Sequence, residues 1–210
     1  NGDWICDKRL GLTICDATSA AFSIALPWPK LDVVTYSWQK VLGGEGQHGV
    51  LILSPRAISR LETYRPQWPI PKIFRIAQNG KLKSGIFFGE TINTPSMLVV
   101  EDVLDSLTWV ESIGGLNGLI ERTEANFAIV SDWVEGSDDF NFLASRKECQ
   151  SMTSVCLKIV APWFRSLCLE NQVSIAKQIA VILEEMGIAY DIASYRDAPA
   201  GLRIWCGPTI

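Results

Sequence analysis

Three short apolar runs in the first quarter of the chain limit the folds that it can adopt. They are Leu12–Asp16, Val33–Ser37 and Val50–Leu53, each rich in β-branched residues and bounded by turn-forming residues. Runs of this kind are typical of strands buried in a sheet that is covered on both faces. We therefore expect an α/β fold, in keeping with a content of 48% hydrophobic and 20% charged residues.

Two of these runs end beside a residue with useful chemistry. Asp16 closes the first run, and Lys40 lies in the loop after the second, 24 positions later. A buried carboxylate and a lysine at two strand ends are what pyridoxal phosphate chemistry requires, because the carboxylate keeps the pyridine nitrogen protonated while the lysine bonds the cofactor and shuttles protons. Gly43-Gly44 would let the backbone pass close to a bound ring. The alternatives are a surface lysine and an aspartate that caps its own turn through Thr18 or Ser19.

The composition argues against several other classes of protein. The net charge of −4 gives no support to binding of nucleic acid or of an anionic membrane, and no run approaches the roughly 20 apolar residues of a membrane span. The six cysteines form no C-x-x-C pair, which argues against a disulfide framework and a zinc site and favours the reducing cytoplasm. His48 is the only histidine, so we expect no histidine-based metal site and no Ser-His-Asp triad.

A helix and an irregular stretch are predicted after the third apolar run. Ser54 suits the N-cap and Pro55 the first helical position of a helix that continues to about Tyr64. The following residues 65–94 are rich in proline and glycine, and they predict an irregular segment with a hairpin at residues 78–81.

The remaining sequence predicts two longer helices and a second, smaller sheet. The helices run from residues 94–96 to about 112 and, after the break at Gly114-Gly115, to about 134. A small α+β domain with an antiparallel sheet follows. Its predicted elements are strands at residues 154–160, 189–192 and 202–206 and a helix at residues 173–186.

Two further positions have the chemistry of an anion site. Asn93-Thr94 stand before Pro95-Ser96, where Thr94 suits a helix cap, and a helix N-terminus with free N–H groups also binds anions. Arg203 lies inside an apolar run, and a buried guanidinium needs an anion. The alternative is that Arg203 faces outward from an edge strand.

Four strings of residues carry a resemblance to a known family. They read LTICDATSAAF, SWQKVLGGEGQHGVLILSPRA, GETINTPSMLVVED and YRDAPAGLRIWCG. Along essentially its whole length the chain resembles the phosphoserine aminotransferases, in the branch common in α-proteobacteria. Members of this family are longer, so the resemblance implies the C-terminal part of a fold-type-I transferase that depends on pyridoxal 5′-phosphate, without its N-terminal half. Residues 1–122 would belong to the mixed-sheet large domain that binds the cofactor, and residues 123–210 would form the small α+β C-terminal domain.

The resemblance also implies roles for the cofactor-binding residues. Lys40 would be the catalytic lysine that bonds pyridoxal 5′-phosphate, Asp16 would pair with the pyridine nitrogen, and Gln39 would contact the phosphate region. Asn93 and Thr94 would reach the cofactor phosphate of a neighbouring subunit, so the active enzyme would be a homodimer with shared active sites.

Substrate binding is implied for three more residues. Arg203 would grip the α-carboxylate of the amino acid with its planar fork. His48 and Arg196 are candidates for binding the other substrate anions, with stabilisation of a turn as the alternative for each.

The reaction implied is transfer of an amino group between O-phospho-L-serine and 2-oxoglutarate, with glutamate as the second amino acid. It would serve serine biosynthesis and, through a related substrate, pyridoxine biosynthesis. The alternatives are a related aminotransferase of the glyoxylate or serine type and an inactive fragment. We expect the 210-residue chain alone to be inactive, and we expect small-molecule substrates, with no metal, no nucleic acid and no membrane.

Overall fold

A computed structural model describes residues 2–46 and 48–210 of the chain. The chain divides into two compact units, the first of residues 1–21 and 25–109 and the second of residues 22–24 and 110–210. The division along the chain falls inside helix α2 (Met97–Ser112), before the domain boundary near Arg122 that the resemblance implies. That boundary stays a prediction.

The first unit is built on a three-stranded mixed sheet. Its strands are β1 (Ile14–Asp16), β2 (Val33–Tyr36) and β3 (Val50–Leu53). They lie in the order β1-β2-β3, with β1 parallel to β2 and β3 antiparallel to it. The three strands predicted from the apolar runs are therefore confirmed.

The prediction that these strands are buried on both faces is wrong for β1 and β3. Val34 in the central strand is buried, but Ile14 is 71% exposed, Leu51 41% and Ile52 38%. Within the described residues the sheet has three strands, so β1 and β3 are its edges and part of their apolar surface is uncovered. Apolar sequence identifies the strands, whereas burial depends on neighbouring layers.

A helix and a hairpin follow the sheet. Helix α1 (Pro55–Thr63) begins as predicted, with the Ser54 hydroxyl accepting a hydrogen bond from Ala57 N–H. The predicted hairpin is confirmed by strands β4 (Ala77–Gln78) and β5 (Lys81–Leu82).

The second unit contains the predicted antiparallel sheet and its helices. Strands β6 (Phe140–Phe142), β7 (Ser154–Ile159) and β8 (Gly201–Trp205) lie in that order, with β7 central. Its apolar core contains side chains from all three strands and from neighbouring helices. The helices are α3 (Gly115–Glu135), α4 (Pro162–Arg165) and α5 (Leu169–Glu185).

One predicted strand of this unit is wrong, and two elements were missed. Residues 189–192 form no strand, because Asp191 has a φ of +51° that breaks the extended conformation. Only Ala193 makes an isolated bridge, to Leu202. Strand β6 and the short helix α4 were not predicted.

A buried carboxylate ties the first unit together. Asp32, 4% exposed, immediately precedes β2. Its Oδ2 accepts from Thr13 N–H at 2.8 Å and from Arg9 Nη2 at 2.8 Å, and its Oδ1 accepts from Ser54 Oγ at 3.1 Å. Burial raises the pKa of the Asp32 carboxyl, but these donors together outweigh burial and the net shift is downward. Asp32 therefore joins the segments that lead into β1, β2 and α1.

Replacing this carboxylate should destabilise the sheet of the first unit. We expect Asp32→Asn to lower the free energy of opening β2 by about 3 kcal/mol, because it breaks a largely buried ion pair. Hydrogen exchange of the β2 amides at pH 7 measures this. The folded-state pKa is lowered, so the stabilisation is present above the unfolded-state value of about 3.9 and is lost as pH falls through the folded value. The difference in the free energy of opening β2 between the native chain and Asp32→Asn should therefore shrink as the pH falls through the folded-state pKa of Asp32.

The matched control is Glu148→Gln, which removes an exposed ion pair with Arg146 at 3.6 Å. It should change stability by no more than about 0.5 kcal/mol. Equal exchange of β2 amides in the Asp32→Asn variant and the native chain would contradict the proposed role of Asp32.

Candidate functional site

Parallel pairing brings the first group of predicted site residues to one edge of the sheet. Asp16 pairs in register with Thr35, and Ala17 N–H donates to Thr35 O at 2.8 Å. Since β1 and β2 run in the same direction, their carboxyl ends meet at the same edge. Tyr36 pairs with Val50, so the loop 37–49 leaves and re-enters the sheet at this edge. The predicted residues gathered there are Asp16, Gln39, Lys40 and His48.

Asp16 is exposed, so the prediction of a buried carboxylate is wrong in this structure. The reason is that β1 is an edge strand with an uncovered side. Its Oδ1 accepts from Thr18 Oγ1 at 2.6 Å and from Thr18 N–H at 3.0 Å, which is the turn-capping role considered from the sequence. These two hydrogen bonds, the hydroxyl first, lower the pKa of Asp16. The turn thus keeps the carboxylate ionised while holding it by one oxygen.

The backbone around Lys40 is held in a tight turn. Gly43 N–H donates to Lys40 O and Gly44 N–H donates to Trp38 O, each at 3.2 Å. The side chains of Val41 and Leu42, directly after the lysine, are buried. Lys40 itself is half-buried. The buried pair anchors the turn and places the lysine at the sheet edge.

Two glycines in this loop make room for neighbouring side chains of the same loop. A Cβ on Gly44 would lie 2.7 Å from Trp38 Cδ1, and one on Gly46 would lie 1.8 Å from Gln39 Oε1. Only glycine lets the Trp38 ring and the Gln39 amide lie this close to the backbone. Gln39 is exposed, and its amide is therefore available at the rim of the loop.

Three buried polar atoms in this loop lack a hydrogen-bond partner among the described residues. They are Ser37 Oγ, Trp38 Nε1 and His48 Nδ1. The Trp38 and His48 rings stack with their centroids 5.5 Å apart and their planes 13° apart. A buried polar atom without a partner costs about 1–3 kcal/mol. Hydroxyl, indole N–H and imidazole groups are suited to phosphate oxygens or to other polar ligand atoms. These atoms fit a polar ligand at the loop.

Asn93 and Thr94 lie exposed ahead of α2. Helix α2 begins at Met97, so Ser96 rather than Thr94 occupies the flanking position, and Val100 N–H donates to Ser96 O at 3.3 Å. The prediction that Thr94 caps this helix is wrong because the helix starts three residues later. The exposed Asn-Thr pair is accessible to a ligand or to another subunit.

In the second unit, Arg203 forms the core of a polar cluster. Its side chain is 17% exposed, and its Nη2 donates to Asp191 Oδ2 at 2.7 Å and to Asp191 O at 3.2 Å. The guanidinium carbon lies 4.5 Å from the centre of the Tyr195 ring. The hydroxyls of Tyr195 and Ser154 share a hydrogen bond of 3.0 Å. Asp191 supplies an anion for Arg203 within the chain, and within the described residues β8 is an edge strand, as the alternative for Arg203 assumed. Binding of a substrate carboxylate by Arg203 stays a prediction.

The charges of this cluster are coupled. The pKa of Tyr195 is lowered, first by the hydrogen bond with Ser154 and then by Arg203. The pKa of Arg203 is raised, first by the Tyr195 oxygen and, against burial, by Asp191. Arg196 is exposed in the turn before β8. Sequence reasoning missed Asp191 and Tyr195, although an aromatic and an acidic residue within 12 positions of Arg203 were a usable signal.

The described residues contain neither a cluster suited to a metal ion nor a helix suited to a membrane. Over residues 2–46 and 48–210, no group of three His, Cys, Asp or Glu side chains has the geometry of a metal site. In the same ranges, no helix is long and apolar enough to cross a membrane.

Comparison with solved structures places the fold in a known class. The chain superimposes on a phosphoserine aminotransferase from Cytophaga hutchinsonii with a TM-score of 0.71 and 22% identity, over 94% of this chain and 50% of that one. It superimposes on the phosphoserine aminotransferase from Trichomonas vaginalis, a structure described as PLP-bound, with a TM-score of 0.71 and 15% identity, over 97% and 51%. The fold is that of a C-terminal part of the fold-type-I, pyridoxal-phosphate-dependent aminotransferases.

Sequence comparison links the chain to particular members of this class. The chain is 57% identical over all 210 residues to the phosphoserine aminotransferase of Methanosarcina mazei, of which it covers 54%. Over its whole length the chain is similar to phosphoserine aminotransferases, and it spans about half the length of the curated relatives that it matches. No protein-family model matches the chain. The α-proteobacterial branch stays a prediction.

Proposed function

We propose that the chain is the lysine-bearing part of a phosphoserine aminotransferase. The whole enzyme would transfer an amino group between O-phospho-L-serine and 2-oxoglutarate, in serine and pyridoxine biosynthesis, in the cytoplasm. The observation that carries the proposal is the convergence of Asp16 and the Lys40 loop on one edge of the parallel β1–β2 pair. Similarity to curated phosphoserine aminotransferases, at 57% identity, supports the choice of substrates.

The residues at this edge fit pyridoxal 5′-phosphate. When bound, the cofactor supplies an electron sink that stabilises negative charge on the substrate α-carbon. Asp16 is suited to hold a proton on the pyridine nitrogen, because Thr18 keeps its carboxylate ionised. Gln39 and the unsatisfied polar atoms of Trp38 and His48 offer hydrogen bonds to the phosphate end or to the ring substituents.

Lys40 is the residue proposed to bond the cofactor and to move the proton at the substrate α-carbon. Its backbone is fixed by hydrogen bonds from the glycine turn and by buried neighbours. The positions that its Nζ atom can reach are therefore limited by the length of the side chain. A lysine held in this way approaches a bound ring at low entropic cost.

Arg203 is proposed to bind the α-carboxylate of the substrate. Its guanidinium is already oriented by the Tyr195 ring and paired with one carboxylate, that of Asp191. The Asp191 side chain is 89% exposed, so it can leave the pair without disturbing buried packing. The described contacts of Asp191 are with Nη2 of the guanidinium. A substrate carboxylate would take the place of Asp191 and could pair with two guanidinium nitrogens at once. His48 and Arg196 remain candidates for the other substrate anions.

Two further features belong to the proposal. The exposed Asn93 and Thr94 would contact the cofactor phosphate of a second subunit, which makes the active enzyme a homodimer. The 210-residue chain alone is proposed to be inactive, since Asp16 and the apolar residue Ile14 of β1 are exposed. A suitable active form is a chimera in which this chain replaces the matching segment of the Methanosarcina mazei relative.

Lys40→Ala should abolish covalent attachment of the cofactor in the chimera. The chimera is incubated with pyridoxal 5′-phosphate, reduced with borohydride and mapped by peptide mass spectrometry. We expect the pyridoxyl label on Lys40 and none in the variant. Lys8→Ala replaces an exposed lysine of the same unit, and this variant should carry the pyridoxyl label on Lys40 as the native sequence does. A label on another lysine, with Lys40 unmodified, would refute the assignment.

Asp16→Asn should leave the fold intact, because asparagine retains an oxygen that can accept from Thr18. Phosphoserine transamination by the chimera should fall by about 10²–10⁴-fold, because a neutral asparagine cannot stabilise a protonated pyridine nitrogen as the carboxylate does. Rates and circular dichroism are measured together. Asp7→Asn, at an exposed position, is the matched control. Turnover near the native value in Asp16→Asn would exclude the role.

Arg203→Lys should weaken substrate binding more than cofactor binding, because lysine keeps the charge and loses the fork. We expect a loss of about 2–5 kcal/mol in kcat/KM for both glutamate and phosphoserine. Arg146→Lys, whose exposed side chain pairs with Glu148, should leave both values unchanged. Unchanged Michaelis constants in Arg203→Lys would mean that Arg203 has only a structural role.

A further inference from the structure

Positive charge is concentrated in one segment of an otherwise acidic chain. Residues 55–83 contain seven of the 19 lysines and arginines and only one of the 23 acidic residues, whereas the whole chain has a net charge of −4. This segment comprises α1, the β4–β5 hairpin and the loop between them. A charge imbalance of this size attracts anions to one surface of the first unit.

The fold shapes part of this segment into a cavity. Its volume is about 340 Å³, and three arginines and two aromatic rings line it together with apolar side chains. Ligand pockets usually measure about 300–1,000 Å³ and combine an apolar lining with a few polar groups. The charged and aromatic lining residues are Arg60, Arg65, Arg75, Tyr64 and Phe74.

Each arginine is oriented by a neighbour that leaves donors free. Arg60 lies over the Tyr64 ring, 4.9 Å from its centre. Arg65 Nη1 donates to Glu62 O at 2.9 Å, and Arg75 Nε donates to Ile70 O at 2.5 Å. Backbone carbonyls and a ring orient a guanidinium without neutralising it.

The lining arginines have no carboxylate partner in the described part of the chain. Its four ion pairs involve Arg9, Arg146, Lys147 and Arg203. The one acidic residue of the segment, Glu62, uses Oε1 to accept from Leu82 N–H at 3.2 Å. Three uncompensated guanidinium groups around one cavity make a site for an anion of more than one charge.

The hairpin turn contributes to this arrangement. Gly80 has a φ of +75°, and a Cβ there would lie 2.2 Å from Arg65 Nη2. The Arg65 guanidinium therefore rests against the turn between β4 and β5. The hairpin closes one side of the cavity and limits the positions that Arg65 can take.

We propose that this cavity binds a small phosphate-bearing ligand with a flat aromatic or heteroaromatic ring. Arg65 and Arg75 would pair with the phosphate, since a guanidinium fork matches phosphate oxygens. The ring would pack on the apolar wall beside Tyr64 and Phe74. The volume suits one ring system and not a dinucleotide. The proposal concerns residues other than those at the Lys40 edge, and its test does not depend on transamination.

Calorimetric titration of the 210-residue chain with three probes tests the proposal. The probes are uridine 5′-monophosphate, uridine and inorganic phosphate, none of which can bond to Lys40. We expect the monophosphate to bind at least about tenfold more tightly than either other probe. Arg65→Gln and Arg75→Gln should each weaken its binding about ten- to a hundredfold. Arg146→Gln, the matched exposed control, should bind as the native chain does.

Two further variants distinguish a loss of binding from a loss of folding. Arg60→Gln removes a guanidinium whose described contact is with the Tyr64 ring, and it should weaken binding with an unchanged circular dichroism spectrum. Arg65→Lys should recover part of the affinity. Equal binding of uridine or of inorganic phosphate, an equal loss in Arg146→Gln, or no loss in Arg60→Gln would each overturn the proposal. So would tighter binding of an oligouridylate, which would indicate a nucleic-acid surface.

Discussion

The carboxylate of Asp32 is the interaction on which the first unit depends. Three residues from two segments distant in sequence donate hydrogen bonds to it: Arg9 and Thr13 before β1, and Ser54 before α1. The Thr13 contact fixes where β1 starts relative to β2, and the Ser54 contact fixes where α1 starts after β3. Since β1 and β2 are parallel and share no tight turn, their register has to come from such a contact. The position of Asp16 beside Thr35 follows from this register.

Local sequence was sufficient to predict most elements. The β-branched runs, the Ser54-Pro55 helix start and the Asn79-Gly80 turn act through neighbouring backbone atoms, and each appears where it was expected. The same holds for the antiparallel arrangement of β7 and β8. The elements that were predicted wrongly or not at all have a different origin. The left-handed backbone of Asp191 and the pairing of β6 with β7 depend on contacts distant in sequence, which periodicity does not reveal.

The candidate site likewise contains some features that local sequence predicts and others that depend on contacts distant in sequence. Lys40 and Asp16 could be found because each follows a recognisable strand, and Arg203 because a charge interrupts an apolar run. The exposure of Asp16 could not be predicted, since it depends on whether another layer covers β1. The partners of Arg203 were missed because Asp191 and Tyr195 reach it through a loop whose conformation local sequence does not specify, although their closeness in the sequence marked them as candidates. The order and register of the strands therefore place the candidate residues, whereas their exposure and partners depend on contacts that are distant in sequence.

The pairing of Arg203 with Asp191 has a consequence for turnover. An enzyme of the proposed kind admits and releases two different acids in every cycle, so a carboxylate pocket that binds too tightly would retain product. If Arg203 binds the substrate as proposed, each acid would enter by exchanging one carboxylate for another. The guanidinium would keep a carboxylate partner throughout, so each exchange would change the free energy less than pairing a bare guanidinium would. An internal competitor of this type would bring the free energies of substrate entry and product departure closer together.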